Sequence, residues 1–160
     1  MSVVIRKADK NDMRAVLDLI RELAHFEREP DAVEVTVEEL IKDGFEGHPE
    51  FQCFVAEVDN EVEGMALTYM RYSTWKGKVL HLEDLIVKEP SRGSGLGSRL
   101  LDRVVRYGYD LGVKRISWVV LDWNQRAIDF YLKKGARVLE DWDVVQLDEA
   151  GIKQYVSNLS

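Results

Sequence analysis

Met13, Val16, Leu17, Ile20, Leu23 and Ala24 recur every three or four positions, which predicts a helix with one apolar face, capped by Asp9 or Asn11. A short strand over residues 3–6 precedes it. Thr36 and Glu39 have the spacing of a capping box ahead of Leu40 and Ile41, so a second, short helix is expected to run to a stop at Gly44. Residues 51–57 and 61–72 are rich in β-formers and flank Asp59-Asn60, the pattern of an antiparallel hairpin. Another hairpin connection is expected over residues 73–78.

Residues 79–87 then read as a strand, 94–111 as a helix ended by Gly112, and 115–121 as the next strand. Asn124 is placed to cap a helix carrying Ala127, Ile128, Tyr131 and Leu132 and closed by Gly135. Further strands are expected over 136–139 and 142–147. The order predicts an α+β fold with a mixed sheet, right-handed crossovers in its second half, and a ligand beyond the carboxyl ends of strands 79–87 and 115–121.

At 160 residues, 46% hydrophobic and 32% charged, the chain suits one compact domain spanning 1–160. No signal-peptide core or membrane-length apolar run is visible, so no membrane partner and a cytoplasmic location are expected. The net charge of -7 argues against nucleic acid and suits a cationic substrate, although it is also what solubility alone would require. Cys53, the lone cysteine, lies in an apolar run and reads as core. His25 and His48 lack partners at ligand spacing, so no metal is expected.

The chemistry concentrates in residues 80–98. Glu83 and Asp84 sit on an apolar strand directly upstream of Arg92-Gly93-Ser94-Gly95-Leu96-Gly97-Ser98. Glycines at alternate positions can take positive φ and turn amides toward one point, where a helix N-terminus favours a diphosphate. A plain strand-to-helix turn is the alternative. The Walker and dinucleotide loops are excluded by spacing. Adjacent strand residues point to opposite faces, so only one of Glu83 and Asp84 can face a substrate unless the strand bulges. Asp84 would then pair with a nearby Arg or Lys. His81, two residues from Glu83, shares its face and could relay a proton or simply pack.

The Arg92-to-Gly97 loop resembles the pyrophosphate loop of the GCN5-related N-acetyltransferase (GNAT) superfamily. Residues 19–24, 72–78, 82–84 and 121–127 further resemble the diamine and polyamine acetyltransferases, and most of all their thialysine N-epsilon-acetyltransferase branch. This resemblance implies a GNAT fold, with a mixed, mostly antiparallel central sheet flanked by about four helices. It implies acetyl-CoA as co-substrate, with Leu85, Ile86 and Val87 along the pantetheine arm. Arg92, Gly93, Ser94, Gly95, Leu96, Gly97 and Ser98 would meet the diphosphate, and Asn124, Gln125, Arg126 and Ala127 would lie near the thioester.

The resemblance also implies Tyr131 as general acid, Phe26, Glu27 and Glu83 around a small amine, and a homodimer. Phe26 and His81 depart from the family pattern, where tyrosine and an aromatic are usual. Glu83 is the expected route for the ammonium proton, through water or by holding the cation while solvent deprotonates it. The expected activity is direct acetyl transfer to thialysine, a diamine or a polyamine. Acetylation of protein lysines or N-termini, and a non-catalytic acyl-CoA sensor, are the alternatives.

Overall fold

The computed structural model describes residues 1–159, which divide into two compact units, one running to Val119 and the other from Val120 on. In the first, β1 (Val3–Lys7), β2 (Gln52–Val58), β3 (Glu61–Ser73), β4 (Gly77–Val87) and β5 (Ile116–Ser117) form one five-stranded sheet in chain order. The first three junctions are antiparallel and β4 pairs with β5 in parallel. The sheet is therefore mixed and mostly antiparallel, as expected.

Three helices belong to this unit: α1 (Met13–Phe26), α2 (Val37–Phe45) and α3 (Leu96–Leu111). Asp9, of the two candidate caps, accepts from the Asn11 amide at 2.7 Å and starts a 3-10 turn that leads into α1. Thr36 and Glu39 close the anticipated capping box of α2, each bond 3.1 Å long. Gly44 does not stop α2, which continues through Phe45. The Phe51 ring occupies the space that a Cβ at Gly44 would need.

Strand alternation sorts the core into two layers. Cys53, Val55, Met65, Leu67 and Ile86 pack with Met13, Val16, Leu17 and Leu19 of α1 and Leu40 of α2. Phe54, between Cys53 and Val55, points the other way, against Tyr107 and the Arg103 guanidinium of α3. Cys53 is a buried core residue whose thiol is pushed up to about 12, chiefly by burial.

The second unit carries α4 (Gln125–Lys133) and α5 (Glu149–Ser157). The described residues thus hold five α-helices, in keeping with the expected number of about four; the one without a sequence signal is α5, where Asp148 caps the start by accepting from the Gly151 amide at 2.7 Å. Gly151 interrupts the apolar periodicity of that helix. Gly135, at φ 92°, ends α4 as anticipated. Residues 136–139 and 142–147 form no strand, and the strand expected over 115–121 is confined to Ile116–Ser117. A strand exists only where a neighbouring edge completes its hydrogen-bond ladder, and alternation alone supplies none. Among the described residues, no helix is long and apolar enough to cross a membrane.

Candidate active site

The pairing of β3 with β4 contains an irregularity at the two adjacent carboxylates. Leu67 opposes Asp84 while its neighbour Thr68 opposes Leu82, so Glu83 is an extra residue without a partner across the ladder. This is a β-bulge, and it resets the alternation of the strand. Before it, Leu82 shares the face of Thr68; after it, Asp84 and Ile86 share the face of Leu67 and Met65, beneath α1 and α2. The expectation that Glu83 and Asp84 point to opposite faces is corrected accordingly.

The electrostatics follow the geometry. Burial, then the charges of Glu83 and Glu27, push the Asp84 carboxyl up to about 6. Burial, then Glu83, pushes the Glu27 carboxyl above its usual range. Three carboxyls, two on the bulge and one capping the C-terminus of α1, therefore lie within reach of one another's charge, with Asp84 half-buried and Glu27 and Glu83 exposed. Like charges so confined resist full ionisation and favour an entering cation. Asp84 has no Arg or Lys partner among the described salt bridges, so its expected pairing with a base is also corrected.

His81 is buried on the same face. Its Nε2 lies 3.7 Å from Glu83 Oε2, and its Nδ1 lies 3.2 Å from Arg71 Nη1 and 3.0 Å from Ser117 Oγ. The ring stacks at a tilt on Tyr69, centroids 5.1 Å apart. Burial and the Arg71 charge hold the imidazole below its ordinary range, against the opposing pull of Glu83.

Beyond β4, Leu85, Ile86 and Val87 lead into the glycine loop. Gly93 and Gly95 take φ of 81° and 88°, and a Cβ built on either would project into open space. Gly97 does not share this conformation; it lies in the first turn of α3, which begins at Leu96 and not at Ser94. The first helical bond runs from the Arg99 amide to the Gly95 carbonyl, so the amides ahead of it lie at the positive end of the helix dipole. A loop that lacks a Cβ at positions 93 and 95 and opens a helix fits a diphosphate.

Arg92 fastens this cradle to α1. Its Nε donates to the Val87 carbonyl at 3.0 Å, its Nη2 lies 3.7 Å from Glu22 Oε1, and its guanidinium sits 5.6 Å from the Phe26 ring centroid. Glu22 also accepts from the Glu89 amide at 3.1 Å. The loop is thereby tied to the helix end that carries Phe26 and Glu27. Nothing in the local sequence signalled Glu22, Arg71 or Ser117, because each acts across a distance of many residues.

In the second unit, Asn124 caps α4 by accepting from the Ala127 amide at 3.2 Å, and Gln125 donates to Asp129 at 2.7 Å. Arg126 is exposed, and Ala127 and Tyr131 are half-buried. Tyr131 lies seven residues, two helical turns, beyond Asn124, with its ring beside that of Phe130. Among the described residues, no group of three or more His, Cys, Asp or Glu is placed to hold a metal ion.

The model of the acetyltransferase (GNAT) family matches residues 13–136. The bovine (Bos taurus) thialysine N-epsilon-acetyltransferase is 38% identical over 163 aligned positions, covering 95% of this chain and 96% of that protein. The human (Homo sapiens) spermidine/spermine N(1)-acetyltransferase-like protein 1 is 35% identical over 90% of this chain, though over only 22% of its own length. Among solved structures, an aminoglycoside N-acetyltransferase in complex with CoA shares the fold with a TM-score of 0.73 at 19% identity, covering 91% of this chain and 94% of that one. By this agreement of sequence and fold, the chain belongs to the acetyltransferase (GNAT) family and is an N-acetyltransferase.

Proposed function

We propose that this enzyme, acting as one domain over residues 1–160, transfers acetyl from acetyl-CoA to the primary amine of a small cation, thialysine, a diamine or a polyamine, within a ternary complex. The observation that carries this reading is the bulge-built cluster of Glu27, Glu83 and Asp84, tied through Arg92 to the glycine cradle. The similarity to thialysine N-epsilon-acetyltransferases supports the substrate class.

Gly93 to Ser98 hold the diphosphate of acetyl-CoA, which supplies the activated acetyl thioester. Leu85, Ile86 and Val87 line the pantetheine arm, and Asn124, Gln125, Arg126 and Ala127 form the cap of α4 nearest the thioester. An alkylammonium of pKa about 10.4 is only about 0.1% neutral near pH 7.4, a penalty of about 4 kcal/mol before attack. The three carboxyls hold the cation against Phe26, and half-exposed Glu83 passes its proton to water. The amine nitrogen then adds to the acetyl carbon, and the tetrahedral intermediate breaks its carbon-sulfur bond while the nitrogen releases its remaining extra proton to water. Tyr131 donates toward the departing sulfur and regains from solvent any proton it transfers. Phenols titrate near 10 and thiols near 8.5, so this transfer is uphill by about 2 kcal/mol and is best described as a hydrogen bond that tightens as sulfur leaves.

A homodimer in the cytoplasm completes the proposal. Val144, Val145 and Leu147, with Ile152, Tyr155 and Val156 of α5, are all exposed, as is Trp75 at the β3-β4 hairpin tip. Apolar exposure on this scale supports self-association, which sedimentation velocity reads directly.

The test is release of free thiol from acetyl-CoA with thialysine, lysine, short diamines, spermidine and a basic peptide. Turnover is expected with the small amines, and Tyr131→Phe should lower it at least tenfold with CoA affinity nearly unchanged. No release with any amine would remove the reading, and full turnover by Tyr131→Phe would remove the acid role.

A further inference from the structure

The surroundings of His81 settle which of its nitrogens carries hydrogen. Arg71 Nη1 and Ser117 Oγ converge on Nδ1 at 3.2 and 3.0 Å. A guanidinium has no acceptor, so a hydrogen on Nδ1 would face an N–H head-on. Nδ1 therefore bears the lone pair, accepting from Arg71 and Ser117, and the hydrogen of the neutral ring is on Nε2. That nitrogen faces Glu83 Oε2 at 3.7 Å, which a small rotation of the half-exposed carboxylate converts to a hydrogen bond.

We infer that His81 is a positioning residue: Arg71 and Ser117 fix its tautomer from behind, and its Nε2–H aims the Glu83 carboxylate at the incoming amine. This role rests on the acetyl-transfer reading above. The Nδ1 lone pair faces the Arg71 guanidinium, which stays protonated at neutral pH, so this geometry assigns His81 to orienting Glu83 and not to relaying a proton. The charges around it are Arg71 from β3 and Glu83 from β4 in direct contact, with Asp84 and Glu27 in the adjoining carboxyl cluster. Tyr69 from β3 covers the ring. Glu83, the bulged residue, has no cross-strand partner to orient it, so a fixed donor beside it limits where its carboxylate can point. Such tautomer control by the far nitrogen is a general property of functional imidazoles.

Two measurements test this. Long-range nitrogen-proton NMR on the full chain at pH 7.5 should show an unprotonated Nδ1 and a protonated Nε2 at His81. In Arg71→Met the loss of a donor and a positive charge should raise the histidine's titration midpoint by about 0.5 to 1 unit. In kinetics, His81→Phe preserves ring volume but removes the donor; kcat/KM for the amine should fall about tenfold while KM for acetyl-CoA stays within twofold. His81→Gln, which restores an N–H at similar reach, should recover most of the loss. A protonated Nδ1 in the wild type would overturn the inference. So would wild-type amine kinetics in His81→Phe, or equal impairment of both variants with unchanged melting temperatures. No thiol release by the wild type with any amine would overturn the acetyl-transfer reading and this role with it; the NMR spectrum, which needs no turnover, distinguishes that failure from a misassigned histidine.

Discussion

Gly95→Val is expected to weaken CoA binding about a hundredfold, equivalent to about 2.8 kcal/mol at about 1.4 kcal/mol per decade. Gly95 caps α3 at φ 88°, a left-handed conformation that a β-branched residue adopts only with strain of about 1 to 3 kcal/mol. A Cβ there meets no protein atom within 4 Å; it points into the space proposed for the diphosphate. Two effects therefore act together, backbone strain and occlusion, and Gly95→Asn separates them. Asparagine tolerates the left-handed region, so that variant should melt close to the wild type while still losing CoA affinity. Isothermal titration with CoA, alongside thermal unfolding, reads both. A folded Gly95→Val chain with undiminished CoA affinity would show that the loop is a structural turn and nothing more.

The second large effect is a trade between stability and activity at Asp84. Its carboxyl titrates near 6 in the fold against an ordinary value of 3.8, so between those limits the folded chain holds a proton that the unfolded chain has lost. Stability from this group is complete below about pH 4, declines as pH rises, and is gone above about pH 6, a total of about 3 kcal/mol at 1.36 kcal/mol per unit. Asp84→Asn mimics the protonated form at every pH. It should stabilise the enzyme by about 2 kcal/mol at pH 7.5 and flatten the slope between pH 4 and 6 in chemical denaturation. It should also reduce kcat/KM for the amine at least thirtyfold, since one wall of the proposed cation site is gone.

The same linkage gives a sign for the wild type. A bound ammonium favours ionised Asp84, so amine binding below about pH 6 releases a proton, and affinity rises with pH through that region. Proton release measured by calorimetry in two buffers checks it. Equal stability of Asp84→Asn and the wild type at pH 7.5 would place Asp84 in contact with water and outside the cluster.

Much of the molecule was legible in the residues because its signals are short-range. The cap of α2 is written in Thr36 and Glu39, that of α4 in Asn124, and the end of α4 in Gly135. The glycine loop was legible for the same reason: φ is a property of single residues, and Gly93 and Gly95 do adopt the conformation that only glycine reaches without strain. Gly97 followed the same spacing yet belongs to the helix, because a motif does not say where its loop ends. Helix α5 went unread since Gly151 interrupts its pattern, and the chain over 136–147 alternates like strand without forming one.

The sequence by itself determined that a glycine-rich loop opening a helix follows a strand bearing two acids, and that the chain resembles amine acetyltransferases. Only the tertiary structure decided that both acids share a face. A register shift is a relation between two strands: whether Glu83 is accommodated as an extra residue depends on how Leu67 and Thr68 across the ladder keep their own faces buried. The grouping of Glu27 with Glu83 and Asp84, and of Arg71 and Ser117 around His81, arises from that packing, because charges interact through space and not along the chain.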